Sequence, residues 1–255
     1  MSSNGSDEPK ARRPGQDEPK PLPRRFYKNA TVGAAKDRQF PVLLDGRSVK
    51  TPRKSALQLP TEALAQAVAA EWQAQIERID PTLMPLTRLA NTAIDAVTGQ
   101  EVEVRADVVK YIGSDLLCYR ADKPQSLVAA QTKAWDPVLA WASRRLGVTF
   151  AVAHGIIHVA QAPGNALAFA DAIGGLDPFR LTSLHVMTTL TGSALLAFAA
   201  VEGTLSADAA WSAAHIDEDF QIAHWGADEE AETRRARRFT EMAAATRLVE
   251  LLGWT

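Results

Sequence analysis

A single cysteine, Cys118, stands in 255 residues. It excludes an intrachain disulfide and any cluster of several cysteines on a metal, and it fits a reducing compartment. Within the apolar run "DLLCYR" its expected role is that of a small buried hydrophobe. A dominant sign of charge is also lacking. The 28 basic and 30 acidic side chains leave a net charge of −2, so no strong field draws in nucleic acid or an anionic membrane. The glycine-rich phosphate cradles of P-loop and dinucleotide folds are missing, as is a Gly-x-Ser-x-Gly elbow. No internal repeat is present.

The most apolar stretch, Leu181 to Val201, has His185 as its one titratable residue. Its length is that of a membrane span. Thr182, Ser183, Thr188, Thr189, Thr191 and Ser193 dilute it, and Asp177-Pro178 supplies the start of a soluble helix. A single central helix, surrounded on most sides and not inserted in a membrane, is the reading. Gly192 and Ser193 would let a neighbouring helix approach closely.

What is present is enough for a core. With 46% hydrophobic and 23% charged residues, the chain supports one large or two small domains. Residues 1–23, with five prolines and no large apolar run, read as a disordered tail. Arg12-Arg13 is followed by no hydrophobic segment, so it is no export signal, and Asp7, Glu8, Asp17 and Glu18 argue against a transit peptide. A cytoplasmic protein is expected.

From Arg24, "RFYKNATVGA" and "FPVLLDGRSVKTP" are rich in aromatic and β-branched residues. Asp45-Gly46 between apolar runs is the chemistry of a two-residue type I′ hairpin. "SALQLP" adds a short strand, giving a small antiparallel sheet. Helices follow. Leu64, Val68, Trp72, Ile76 and Ile79 recur at helical spacing between an N-cap at Thr61 and a stop at Asp80-Pro81, which makes Trp72 a core anchor. Leu86, Leu89, Ala90, Ile94 and Val97 repeat the pattern up to Gly99. A third helix, near Glu101 to Leu117, places Asp115 on an apolar face with Arg120 as its nearest partner. Pro137 splits the next helical stretch into two, with Asp136 as a cap. "VTFAVAHGIIHVAQAP" is extended, or a hairpin turning at His154-Gly155. Helices near Ser206 to His224 and Asp228 to Leu252 finish the chain. The fold class is α+β: a small N-terminal domain with an antiparallel sheet, residues 24–84, then a helical bundle, residues 85–255.

Chemistry would have to come from the histidines and carboxylates. His154 and His158 on a strand lie about 13 Å apart at roughly 3.3 Å per residue, too far for one ion at about 2 Å from each. "HIDEDFQIAHWGADEEAE", His215 to Glu232, gathers two histidines and seven carboxylates in eighteen residues. On one helix His215 and His224 point to opposite sides, about 180° apart at 3.6 residues per turn. Ile216, Phe220 and Ala223 form the buried stripe. No base-and-nucleophile pair emerges, so no catalytic residue, metal site or cofactor is assigned. An acidic surface with Trp225 beside it remains. Its bland reading is a helix start with carboxylates at the positive end of the dipole, and a salt-bridged face through Glu230, Arg234 and "RRARR". That run lacks interleaved aromatics and does not make a nucleic-acid site.

Eight segments in register carry a resemblance: "RFYK", "LLDGRSVKTP", "LPTEALAQAVAAEWQAQ", "MPLTRLANTAID", "SDLLCYRA", "WDPVLAW", "LDPFRLTSLH" and "IDEDFQIAHWGADEEAE". From Arg24 to Glu232 the chain resembles the assembly chaperones of the F₁ sector of F-type ATP synthase, a family of mitochondria and α-proteobacteria that acts on the α subunit. The tail favours a bacterial, cytoplasmic member; eukaryotic relatives would be in the mitochondrial matrix. The resemblance implies an α/β N-terminal domain with an orthogonal helical bundle, and a non-enzymatic, cofactor-free monomer. Such a chaperone would shield the β-facing surface of the free α subunit. It points to Asp217, Glu218, Gln221, Trp225, Gly226, Asp228, Glu229 and Glu230 as partner-binding residues, with Trp225 the apolar anchor. Two alternatives stay open: a small hydrolase or metal-dependent enzyme using His185, His215, His224 and the carboxylates, or a helical scaffold without a client.

Overall fold

The structure, a computed structural model, describes residues 21–155, 158–226 and 228–253. The tail expected at residues 1–23 lies mostly outside them. Its last residues are tied down, since the Leu22 carbonyl accepts from Arg78 at 2.7 Å and the Pro23 carbonyl from the Ile79 N–H at 2.8 Å.

Four strands form the N-terminal sheet: β1 (Ala30–Val32), β2 (Phe40–Leu44), β3 (Arg47–Ser48) and β4 (Gln58–Leu59). All of β1, β3 and β4 pair antiparallel with β2. The hairpin turns where its chemistry predicts. Asp45 and Gly46 both have positive φ, 47° and 80°, the pair of left-handed residues a type I′ turn requires. The Asp45 carboxylate accepts from the N–H groups of Asn29 and Lys28, and those bonds hold its pKa down.

Helix α1 (Glu62–Gln73) starts on its expected cap, Thr61, whose hydroxyl accepts from the Leu64 N–H. It stops earlier than the periodicity predicts. The Arg25 guanidinium takes the carbonyls of Gln73 and Gln75, so a tertiary donor satisfies the helix end and the chain turns away. Ile76 is consequently 84% exposed, whereas Ile79 is buried on the following segment. Trp72 is half-buried rather than enclosed, set edge-on against Tyr27 at 5.8 Å. Glu71 reaches to the start of α2 (Pro85–Thr92) and accepts from the N–H groups of Leu86 and Thr87 and from the Thr87 hydroxyl, each at 2.7 Å. It caps a helix other than its own. The helix widens into a π turn at Ala93–Val97 before Gly99 closes it.

Helix α3 (Glu101–Lys110) tightens into 3₁₀ turns at Tyr111–Ser114 and Leu116–Cys118, short of the expected Leu117 end. Asp115, fully buried between those turns, is not paired with Arg120. Its carboxylate accepts from the Ser193 hydroxyl at 2.7 Å and from the N–H groups of Leu195 and Leu117, each at 3.1 Å. Arg120 instead pairs with Asp136 at 2.9 Å. Cys118 is buried, and burial pushes its thiol up to about 12, the inert state expected of it. Strands β5 (Tyr119–Arg120) and β6 (Ala153–His154) pair in parallel. The chain at His154 is extended as predicted. A hairpin there would involve Ile156 and Ile157, outside the described residues.

Helix α4 (Gln125–Leu146) runs unbroken through Pro137, so Asp136 is not a cap. An interior proline costs about 3 kcal/mol. Burial of the surrounding Trp135, Val138, Leu139 and Ala142 offsets that cost and holds the helix in one piece. After α5 (Pro163–Ala172), the expected single helix over Leu181 to Val201 is two, α6 (Pro178–Thr191) and α7 (Ala194–Val201). Gly192 adopts φ 69°, and a Cβ built on it would meet nothing within 4 Å. It is glycine for the left-handed helix end and not for close approach of a neighbour. Ser193 caps α7, every residue of which is buried. Among the described residues no helix is long and apolar enough to cross a membrane.

Three helices end the chain: α8 (Ala207–Ala214), α9 (Ile216–Trp225) and α10 (Glu229–Leu252). The last crosses α6 and returns to α1, where the Thr61 hydroxyl donates to the Leu251 carbonyl. One connected set of buried side chains runs from Tyr27 to Val249. The class is α+β, as expected.

Candidate functional site

The helix expected from Ser206 to His224 breaks at His215, and that break makes a cleft. Ser206 caps α8 by accepting from the Ala209 N–H at 3.1 Å. At its other end the His215 ring lies on Trp211, centroids 3.8 Å apart, with Nδ1 2.8 Å from the Trp211 carbonyl oxygen. A nitrogen that close to a carbonyl is a donor, so the neutral ring carries its proton at Nδ1. Burial lowers the His215 pKa and keeps the ring neutral. With Nδ1 bonded to the Trp211 carbonyl and Nε2 3.9 Å from the Glu218 carboxylate, His215 turns the chain and starts α9 in a new direction.

Helix α9 meets the core only through partly buried side chains, Ile216 among them, and polar ties supplement that packing. None of its residues is fully buried, Ile216 and Phe220 are half-buried and Ala223 is exposed, which corrects the predicted buried stripe. Two carboxylates of its first turn supply those ties. Asp217 accepts from Gln131 of α4 at 2.6 Å, and Gln131 in turn accepts from the Ala121 N–H at 2.8 Å. Asp219 pairs with Arg235 of α10 at 2.5 Å. At the far end Trp225 stands 79% exposed. Gly226 follows with φ 86° and ψ 167°, a region open in practice only to glycine. Asp228 then caps α10, accepting from the Ala231 N–H at 3.1 Å.

Between α8, α9 and α10 lies a cleft of about 760 Å³. Trp211, Ile222, Trp225 and Phe239 give it apolar walls, and Asp208, Glu218, Asp219, Asp228 and Glu232 surround them. Arg235 is the one basic residue in the lining, among the described residues. Of the eight residues singled out in the sequence, Glu218, Gln221, Trp225, Gly226 and Asp228 line this cleft. Asp217, Glu229 and Glu230 do not. Asp217 serves the tie to α4, and Glu230 lies 3.7 Å from Arg234 on an exposed helix face. Sequence reasoning missed Asp208, Trp211, Asp219 and Phe239. Trp211 and Phe239 sit on helices with ordinary apolar spacing, and only their edge-on contact at 5.5 Å shows that two helices present aromatics to one groove.

The histidines do not converge on acid/base chemistry. His224 bonds its own helix at the Phe220 carbonyl, 2.7 Å away, and His215 is turned onto Trp211. Among the described residues no group of three or more His, Cys, Asp or Glu is placed to hold a metal ion. The arrangement can grip a partner by apolar contact and charge; it offers no nucleophile with a base.

Residues 24–143 match the family model of the ATP12 chaperone protein. Protein atp12, mitochondrial, of Schizosaccharomyces pombe is 24% identical over 229 residues, spanning 84% of this chain and 77% of its own. The crystal structure of Atp12 from Paracoccus denitrificans is 45% identical and superposes with a TM-score of 0.85, covering 90% of this chain and 98% of that one. A chaperone-assigned protein of Agrobacterium tumefaciens is 46% identical, TM-score 0.86, over 91% of this chain and 87% of its own. The matching family is named for a chaperone, which speaks for a non-enzyme and against the hydrolase alternative. The chain belongs to the ATP12 chaperone family.

Proposed function

We propose that this protein holds the free α subunit of the F₁ sector of ATP synthase and covers its β-facing surface until the β subunit takes its place. Family membership makes it a chaperone of ATP synthase assembly; the choice of α as client and of the cleft as contact is our reading. An unassembled subunit of an obligate oligomer exposes an apolar surface like a domain core cut in half. The observation that carries the reading is an apolar cleft edged by carboxylates, with Trp225 standing 79% exposed at its mouth. Large aromatics at the centre of such patches supply much of the affinity, and the acids steer the encounter. The protein acts as a single chain in the cytoplasm, without cofactor or nucleotide.

The test is capture. Tagged full-length protein is incubated with freshly diluted α subunit, and soluble α is measured after centrifugation, with and without β. The reading expects α to stay soluble in a one-to-one complex and to leave it when β is added. Soluble β held in preference to α would reassign the client.

A further inference from the structure

We infer that the cleft between α8, α9 and α10 takes a single amphipathic α-helix whose apolar ridge is flanked by lysines or arginines. This rests on the client reading above and names the chemistry of the segment the cleft receives.

Three observations point to that occupant. The first is charge. Five carboxylates face one guanidinium in the lining, and that guanidinium, Arg235, is already paired with Asp219 at 2.5 Å. The surplus favours a cationic ligand and disfavours an anionic one. The second is the nature of the walls. All three are helices, so no free strand edge is there to pair with an extended peptide, whose backbone donors and acceptors would go unmatched on docking. A helix brings its backbone already satisfied and presents side chains at i, i+3, i+4 and i+7. The third is size. A cleft of about 760 Å³ matches pockets that enclose a ligand of a few side chains; it is far smaller than a folded domain. Trp211 and Phe239 form the inner wall, half-buried or more, whereas Trp225 at the mouth is free to close over the ridge. Glu218 and Asp228 flank that mouth and would meet the basic positions on either side of the ridge.

The probe is a fluorescein-labelled peptide of about 14 residues, roughly four turns at 3.6 residues per turn. It carries leucine on one helical stripe and lysine on the flanks. Binding to the full-length protein is read by fluorescence anisotropy. The expected result is saturable binding that weakens at least about tenfold on Trp225→Ala, a residue too exposed for its loss to harm the fold. Glu218→Lys weakens it further at low salt than at high. A peptide with glutamate in place of lysine fails to bind, as does one with the leucines and lysines in strict alternation. The lysine peptide also displaces α subunit from the chaperone. Equal binding of both charge types, or of wild type and Trp225→Ala, overturns the inference. If wild type holds α but the peptide neither binds nor displaces it, the helix inference fails and the client reading survives. If the peptide binds and α is never held, the reverse is true.

Discussion

The Asp115 carboxylate accepts a 2.7 Å hydrogen bond from the hydroxyl of Ser193, 78 residues away. Each residue sits at a break in what would otherwise be a longer helix, and the breaks dock on each other, since the Leu116 N–H also reaches the Gly192 carbonyl at 3.2 Å. Ser193 accepts from the Leu196 N–H as the cap of α7 while donating to Asp115. One buried carboxylate therefore caps the first turns of two helical segments, Leu116–Cys118 and α7, and joins them.

Burial pushes the Asp115 pKa up to about 6. The fold thus favours its protonated form over the unfolded chain, whose carboxyl titrates near 3.9. The associated stability is fully present below about pH 4 and is lost as pH rises through about 6. Comparison of wild type with Asp115→Asn by urea unfolding across pH 4 to 7 isolates the contribution. The difference should move in favour of the variant by up to about 3 kcal/mol on raising the pH. A difference that stays flat would remove Asp115 as the titrating group.

Glu218→Lys and Glu229→Lys separate the cleft from the surrounding acidity. Both positions are exposed, so each should shift stability by no more than about 1 kcal/mol. Glu218 lines the cleft and Glu229 does not. The first reversal is expected to slow capture of α, most at low salt, and the second to leave capture near wild type. Stopped-flow association at two salt concentrations reads this directly. Equal slowing by both would mean that only the net field matters.

Gly226→Ala places a Cβ where φ is 86° and ψ 167°. The space around it is empty, so any penalty is backbone strain, about 1–3 kcal/mol. That strain is expected at the α9–α10 junction and should re-aim Trp225. Global melting should fall modestly while peptide or α binding falls more. Binding unchanged at reduced stability would show that the aim of Trp225 does not depend on this glycine.

Trp72→Ala tests the seam between sheet and helices. Because Trp72 is half-buried against Tyr27, the expected loss in urea unfolding is about 2–3 kcal/mol, below the 3–5 typical of an enclosed tryptophan. A loss under about 1 kcal/mol would make it a surface residue available to a partner.

Much of the fold is legible locally. The Asp45-Gly46 turn and the caps Thr61, Asp177, Ser206 and Asp228 each act through their own few neighbours, and each is where its chemistry predicts. The errors share a cause, a distant partner deciding a local contest. Arg25 ends α1 before Ile76, core burial carries α4 through Pro137, and Asp115 with Ser193 docks the turn after α3 onto the start of α7. Periodicity contains none of these pairings. The site divides likewise. Glu218, Gln221, Trp225, Gly226 and Asp228, which line the cleft, are legible in the sequence because one contiguous stretch holds them. Trp211, Asp219 and Phe239 complete the cleft only once His215 has broken a helix that its sequence would let run on.

Because α9 buries none of its residues fully, its hold on the molecule combines the partial packing of Ile216 with the ties of Asp217 and Asp219. A segment with few apolar contacts opens locally at a free energy well below that of global unfolding. Amide hydrogen exchange along Ile216 to Trp225 should accordingly outpace that of Met242 to Val249, which lie in the core. The α9 wall of the cleft should yield more readily than the α8 wall, where Trp211 is buried. On the proposed docking mode, the cleft would reshape itself around the client's ridge and relax as the client leaves, with the reserve of adaptability stored in a single loosely moored helix.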